Sequence, residues 1–187
     1  YFDKHKNQYT IEKFVPASGA ATRMFKFLNE FLNEFDADND TMNSYINKKN
    51  AKDVSIFIFG LKNFPFYREL KEKTIDLFPN YYSLSNDKRY YILIKTLLSE
   101  EGLHFSHKPK GILPFHLQNN EVLTPIDEHV FETNFYKKTD QKSKIHFTIS
   151  KEFENDFLAI INKYDNVEVT FSYQNETSDT IAVNADN

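Results

Sequence analysis

An α/β domain with a mostly parallel sheet flanked by helices is the fold class this sequence predicts, and the two ends of the chain supply the observations. Towards the end, residues 144–150 alternate apolar and polar as a strand does. Phe153, Phe157, Ile160 and Ile161 then mark one face of a helix, opened by Ser150 as a cap, and residues 167–173 form the next strand pattern. A strand, a helix and a second strand of these lengths argue for parallel pairing. Towards the beginning, a β-type run over residues 10–15 exits through small residues into a helical pattern from Thr22. There Met24, Phe25, Phe27, Leu28, Phe31, Leu32 and Phe35 recur at three- and four-residue spacing. Ligands of such sheets sit at the carboxyl ends of the strands, which directs attention to the exits after residues 15 and 173.

Between these ends the pattern is helical. The polar break Asp36-Ala37-Asp38-Asn39-Asp40 has the composition of a calcium loop without its glycine or distal glutamate, and reads as a solvated loop. Residues 53–59 and 66–78 carry helical spacing on either side of Asn63-Phe64-Pro65. Asn86-Asp87 opens a further helix through Tyr90, Tyr91, Leu93, Ile94, Leu97 and Leu98. A single domain spanning residues 1–187 with a helical insertion at about 40–103 is the expected organisation. Thr124-Pro125-Ile126-Asp127 begins one more helix, with a Thr cap, Pro in the first helical position and an acid in the third, running to about Tyr136. A last short apolar run, Thr180-Ile181-Ala182-Val183, reads as a strand.

Composition narrows the function classes. The chain has 187 residues, enough for one domain with a substantial core. A formal net charge of −4 without a basic stripe argues against nucleic acid as a partner. Cysteine is absent, which removes thiolate chemistry and cysteine-ligated zinc. No apolar run reaches membrane-spanning length and the first residues do not pattern as a signal peptide, so a cytoplasmic protein without membrane contact is expected. The 19 Phe and 11 Tyr are expected to fill the core rather than to stack on a ligand. A start at Tyr1 and an end at Asn187, just after a strand-like run, suggest a fragment of a longer protein.

Three stretches carry candidate chemistry. In Pro16-Ala17-Ser18-Gly19-Ala20-Ala21-Thr22-Arg23-Met24, small residues allow close approach of backbone to a ligand, amides opening a helix favour an anion, and Arg23 can add a bidentate contact. The stretch lacks the Gly-Lys-Ser/Thr ending of a P-loop, and the alternative is an ordinary strand-to-helix turn. From His104 to His116, three histidines and two lysines fall together. His104 and His107 have helical metal-ligand spacing, but Pro109 and Gly111 oppose a helix there and no metal site is assigned. Lys110, between Pro109 and Gly111, reads as a positioned cation near phosphate, with a plain surface lysine as the alternative. Glu128 and His129 fall in the first turn of the helix that opens at Thr124, where they serve either as acid and base or as partners of the helix dipole.

These motifs resemble a known family. Residues 17–24 are similar to the glycine-rich signature of sugar-phosphate nucleotidyltransferases, and Lys108-Pro109-Lys110-Gly111 to the Pro-Lys-Gly of UDP-N-acetylhexosamine pyrophosphorylases. More closely, Pro-Ala-Ser-Gly-Ala-Ala-Thr-Arg-Met, Pro-Lys-Gly-Ile-Leu-Pro-Phe-His, Thr-Pro-Ile-Asp-Glu-His and Ser-Asp-Thr-Ile-Ala-Val together resemble an uncharacterised bacterial family, domain of unknown function 4301. The resemblance implies a Rossmann-like fold of the nucleotide-diphospho-sugar transferase type. It places Ser18, Gly19, Ala20, Ala21, Thr22 and Gln174 around a nucleoside triphosphate, with Arg23 and Lys110 as the catalytic cations. His116, Glu128, His129 and Asp179 are the further candidates on the sugar-phosphate side. Mg²⁺ is implied as cofactor, with ligands outside this chain. The departures are Ala20 and Ala21 where the signature often has Gly, and a nucleobase motif and metal-binding Asp that fall beyond Asn187. The fragment is therefore expected to be inactive alone, and a non-catalytic nucleotide- or phosphosugar-binding protein of the same fold is the alternative.

Overall fold

The computed structural model of the protein describes residues 2–5, 8–136 and 142–174. In chain order its elements are helix α1 (Phe2–His5), strand β1 (Glu12–Pro16), helices α2 (Lys26–Glu34), α3 (Met42–Lys49), α4 (Lys52–Gly60), α5 (Tyr67–Leu77) and α6 (Asn86–Leu98), strands β2 (His116–Gln118) and β3 (Glu121–Leu123), helix α7 (Pro125–Phe135), strand β4 (Ser143–Ile149), helix α8 (Glu154–Ile161) and strand β5 (Val167–Tyr173). The strand expected at residues 180–183 and the candidate Asp179 lie outside the described residues. No helix among those residues is long and apolar enough to cross a membrane.

The chain divides into two compact units, one made of Tyr1–Gly19 with Ile126–Asn187 and the other of Ala20–Pro125. The first is α/β. Its three-stranded parallel sheet has the order β1-β4-β5, with Val15 opposite Phe147 and Phe147 opposite Phe171. The alternation of β4 sets its two faces: Ile145, Phe147 and Ile149 are fully buried, while Lys144, His146 and Thr148 point the other way. Helix α8 lays Phe157, Ile160 and Ile161 on the apolar face, with the Phe157 ring 6.2 Å from Phe147 and 6.4 Å from Phe171. Helix α7 packs on that same face, its His129 ring 6.5 Å from Phe147. Asp127, expected at the helix start as a favourable charge, is also a buried acceptor, and the Tyr164 hydroxyl donates to its Oδ1 at 2.7 Å. Ser150 makes no side-chain cap bond, because a short 3₁₀ turn, Lys151–Phe153, intervenes before α8.

The second unit is helical, and its core draws on every one of its helices: Leu28 and Phe31 from α2, Tyr45 from α3, Val54 and Phe57 from α4, Leu70 from α5, and Leu93, Ile94 and Leu97 from α6. Aromatic rings supply much of the volume, as their number suggested, with Phe31 in contact with Phe35, Tyr45 and Tyr91. The stretch of helical pattern expected at 40–103 lies inside this unit, which also holds α2 and the β2-β3 hairpin. Helix α3 was not anticipated, although Thr41 caps it by accepting from the Ser44 amide and Asn50 closes it in the left-handed region at φ 51°. The hairpin likewise turns on Asn119 and Asn120, at φ 51° and 67°, a pairing that suits a two-residue primed turn.

Candidate functional site

Within the helical unit, residues 20–22 of the first candidate stretch meet residues 106–109 of the second. Ala20 forms an antiparallel bridge with Pro109. The Ala21 amide donates to the Lys108 carbonyl at 3.0 Å, and the Thr22 hydroxyl donates to the Ser106 carbonyl at 3.0 Å. Asn29 of α2 adds a longer contact, Nδ2 to Ser106 Oγ at 3.5 Å. Ala21 is fully buried. Phe25 packs its ring against Phe105 and Phe115, at 6.2 and 6.4 Å, and these two in turn contact Phe66. A small-residue loop with one isolated bridge, a hydroxyl and an aromatic knot thus hold segments that are over 80 residues apart in sequence.

This pairing changes how α2 begins. A helix was expected to open at Thr22, but with Ala21 and Thr22 tied to residues 106–108 the chain first turns, the Met24 and Phe25 amides donating to the Ala21 carbonyl, and α2 starts at Lys26. Three amides of the supposed cradle, those of Ala21, Met24 and Phe25, are therefore already bonded within the protein. An anion on this loop has to draw on Arg23, Lys110 and the remaining amides. Arg23 is exposed three residues beyond the bridge, and Lys110, also exposed, follows the bridging Pro109 and opens the 3₁₀ turn Lys110–Ile112. Just upstream, His104 takes the left-handed region at φ 57°, and its ring stacks on His107 with centroids 4.8 Å apart and planes 18° apart. A non-glycine residue in that region is held there at a cost, about 1–2 kcal/mol. His116 is an exposed residue at the start of β2, opposite Leu123.

The other candidates belong to the α/β unit. The Ala17 amide donates to the Thr148 carbonyl and the Gln174 amide to the Ile149 carbonyl, so Ser18 and Gly19 leave the sheet at the same carboxyl end as Gln174. A Cβ added at Gly19 meets nothing within 4 Å, and no glycine has a positive φ. Neither packing nor backbone conformation demands glycine there, and what it uniquely provides is uncovered backbone. His129 and Glu128 are on α7. His129 is half-buried, its Nδ1 makes no hydrogen bond of ordinary length among the described residues and lies 3.7 Å from the Glu132 carboxylate, and Glu132 is itself paired with Lys13 of β1. Burial, followed by the Lys13 charge, lowers the His129 pKa, while Lys13 lowers that of Glu132. Packing between helix and sheet thus favours the neutral form of the His129 ring. Among the described residues no group of three His, Asp or Glu side chains gathers as a metal site.

The chain belongs to the family described as Domain of unknown function (DUF4301), whose model matches residues 1–187. No curated protein and no solved structure matches it.

Proposed function

We propose that this DUF4301 member binds phosphorylated ligands through the paired motifs and transfers a nucleotidyl group from a nucleoside triphosphate to a sugar 1-phosphate, on a Rossmann-like fold of the nucleotide-diphospho-sugar transferase type. The observation that supports this reading is the bridge between Ala20 and Pro109, because it joins the small-residue loop bearing Arg23 to the loop bearing Lys110. Two exposed cations with no ion pair among the described residues then flank one backbone junction. In the α/β unit, the exit at Ser18 and exposed Gly19 shares the carboxyl end of the sheet with Gln174, the place where open parallel sheets take ligands.

In the proposed reaction an oxygen of the sugar 1-phosphate attacks the α-phosphorus, a new P–O bond forms, and the bond to the leaving pyrophosphate breaks. Arg23 and Lys110 neutralise charge on the phosphates as it shifts towards pyrophosphate, the kind of preorganised stabilisation whose loss commonly costs a factor of 10²–10³. Mg²⁺ would supply further neutralisation when bound. Among the described residues no group of three His, Asp or Glu side chains gathers to hold it, and no step is assigned to its ligands. The second reading, a binding protein of the same fold without catalysis, is favoured by the internal use of the Ala21, Met24 and Phe25 amides, which leaves fewer donors for a triphosphate.

Pyrophosphate release from a panel of triphosphates and sugar 1-phosphates, measured with Mg²⁺ on this chain and on any longer form of the protein, tests the proposal. Turnover that drops at least about 100-fold in Arg23→Ala and Lys110→Ala supports transfer. Nucleotide binding that these variants abolish, without turnover, supports the binding reading. Absence of both turnover and binding overturns the two readings together.

A further inference from the structure

The face of the sheet opposite α7 and α8 carries a cluster that the proposed phosphate site does not use. His146 of β4 lies between two hydroxyls of β5, with Nδ1 2.7 Å from Thr170 Oγ1 and Nε2 2.9 Å from Ser172 Oγ. Ser172 Oγ is also 2.9 Å from Thr148 Oγ1. The fourth wall is Phe14 of β1, whose ring stacks on the imidazole with centroids 5.1 Å apart and planes 7° apart, and which remains 64% exposed. Register explains the grouping, since Phe14, His146 and Thr170 are cross-strand partners in one row and Pro16, Thr148 and Ser172 in the next row of the same face. All four polar groups sit on paired strands and none on a loop, so the distances are fixed by the sheet.

We propose that Ser172 is an activated hydroxyl with His146 as its general base, able to accept an acyl or phosphonyl group from an activated ester. The parts match those that nucleophilic catalysis requires: a hydroxyl within hydrogen-bond reach of an imidazole nitrogen, and a third group on the other nitrogen that fixes ring and tautomer. With Nδ1–H donating to Thr170 Oγ1, Nε2 accepts from the Ser172 hydroxyl, and Thr148 donates to Ser172 Oγ. Ser172 Oγ then forms a bond to the acyl carbon of an aryl ester while its proton passes to Nε2. The ester C–O bond breaks and the aryl oxide leaves with that proton. Water, deprotonated by the same nitrogen, releases the acid and restores Ser172. The exposed ring of Phe14 offers an apolar surface beside the imidazole for an aryl leaving group, which places the substrate class among small aromatic esters.

The probe is a fluorophosphonate, with 4-nitrophenyl acetate as a substrate and peptide mapping by mass spectrometry as the readout. The wild-type chain is expected to take up one phosphonyl group, on Ser172. Ser172→Ala loses the adduct, and His146→Gln forms it at least about tenfold more slowly, the lower side of what a positioned base contributes. Thr148→Val serves as a second variant that keeps both Ser172 and His146. Unchanged circular dichroism in the variants ties their losses to chemistry rather than folding. A wild-type chain left unmodified at Ser172, or one labelled there as fast with Gln as with His at 146, overturns the proposal, and the first of these outcomes needs no variant.

Discussion

Gly102 follows α6 in the turn that leads to the paired loops, and replacing it by Ala is the sharpest perturbation available. A Cβ at this position falls 1.8 Å from the Thr96 carbonyl oxygen, 2.6 Å from its carbon and 2.9 Å from the Thr96 Cα. All three are backbone atoms inside a helix, so no side chain can swing aside, and the separation must open by more than an ångström. The turn is also held by its own bonds: the Leu103 amide donates to Thr96 O at 2.8 Å, the His104 amide to Ser99 O at 3.1 Å, and the Phe105 amide to Leu97 O at 3.0 Å. Overpacking typically costs about 1–3 kcal/mol and each weakened bond about 1 kcal/mol, which places Gly102→Ala at about 2–4 kcal/mol of lost stability. Urea denaturation followed by circular dichroism reads this as a lower midpoint. Gly60→Ala is the control: it lies in α4, its added Cβ meets nothing within 4 Å, and it should be neutral or stabilising by up to about 1 kcal/mol. Because residues 104–110 follow this turn, the phosphate binding proposed above should weaken in parallel with the Gly102 change. A midpoint for Gly102→Ala indistinguishable from that of Gly60→Ala refutes the reasoning.

Two further perturbations read the α/β unit. His129 has a folded pKa lowered first by burial and then by the Lys13 charge, so its neutral form is the one folding prefers. The unfolded chain binds the proton more readily, and stability from this group is complete above the unfolded value of about 6.5 and is lost as pH falls below it towards the folded pKa. Denaturation midpoints between pH 8 and 5 should therefore drop on acidification, and His129→Gln should flatten that slope; equal slopes in the two proteins count against it. Tyr164→Phe removes the hydroxyl that donates to buried Asp127 and is expected to cost about 1–3 kcal/mol. A loss under about 0.5 kcal/mol in a chemical melt would show that the acid finds equivalent support elsewhere.

Where a local pattern had one physical cause, it was legible in the sequence. The alternation of residues 143–149 arises because one face of β4 packs on helices, and it located the strand to within a residue. The three- and four-residue spacing of apolar residues from Met24 located α2 for the same reason, but not its first turn. That boundary depends on bonds from Ala21 and Thr22 to Lys108 and Ser106, and a pairing across more than 80 residues leaves no trace in local spacing. The division into two units was also hidden. Residues 20–35 continue from β1 in sequence, yet Leu28 and Phe31 bury against a core supplied by α3 to α6. The capping signals of α3 and the Asn119-Asn120 turn were present in the sequence and were overshadowed by the polar residues around them.

The candidate site divides along the same line. Its ligand-facing meaning rests on residue types, and sequence alone could name Arg23 and Lys110 without saying that the loops bearing them pair. The bridge at Ala20 adds that pairing, and its bonds also use up amides that a pure helix-terminus cradle would have offered. On the proposed function the site would therefore depend more on its two side-chain cations than the small-residue loop suggested, which is why substitution of Arg23 or Lys110 is the more informative experiment than substitution of Gly19. The His146 cluster escaped sequence reasoning for a different reason. Its residues are single polar positions on two strands, at 146, 148, 170 and 172, and only the parallel register that sets His146 opposite Thr170 and Thr148 opposite Ser172 makes them neighbours. Polar positions on a strand face read as solvated in a sequence, whereas in this sheet they bond to one another beneath an aromatic ring, which is the arrangement a reactive serine needs.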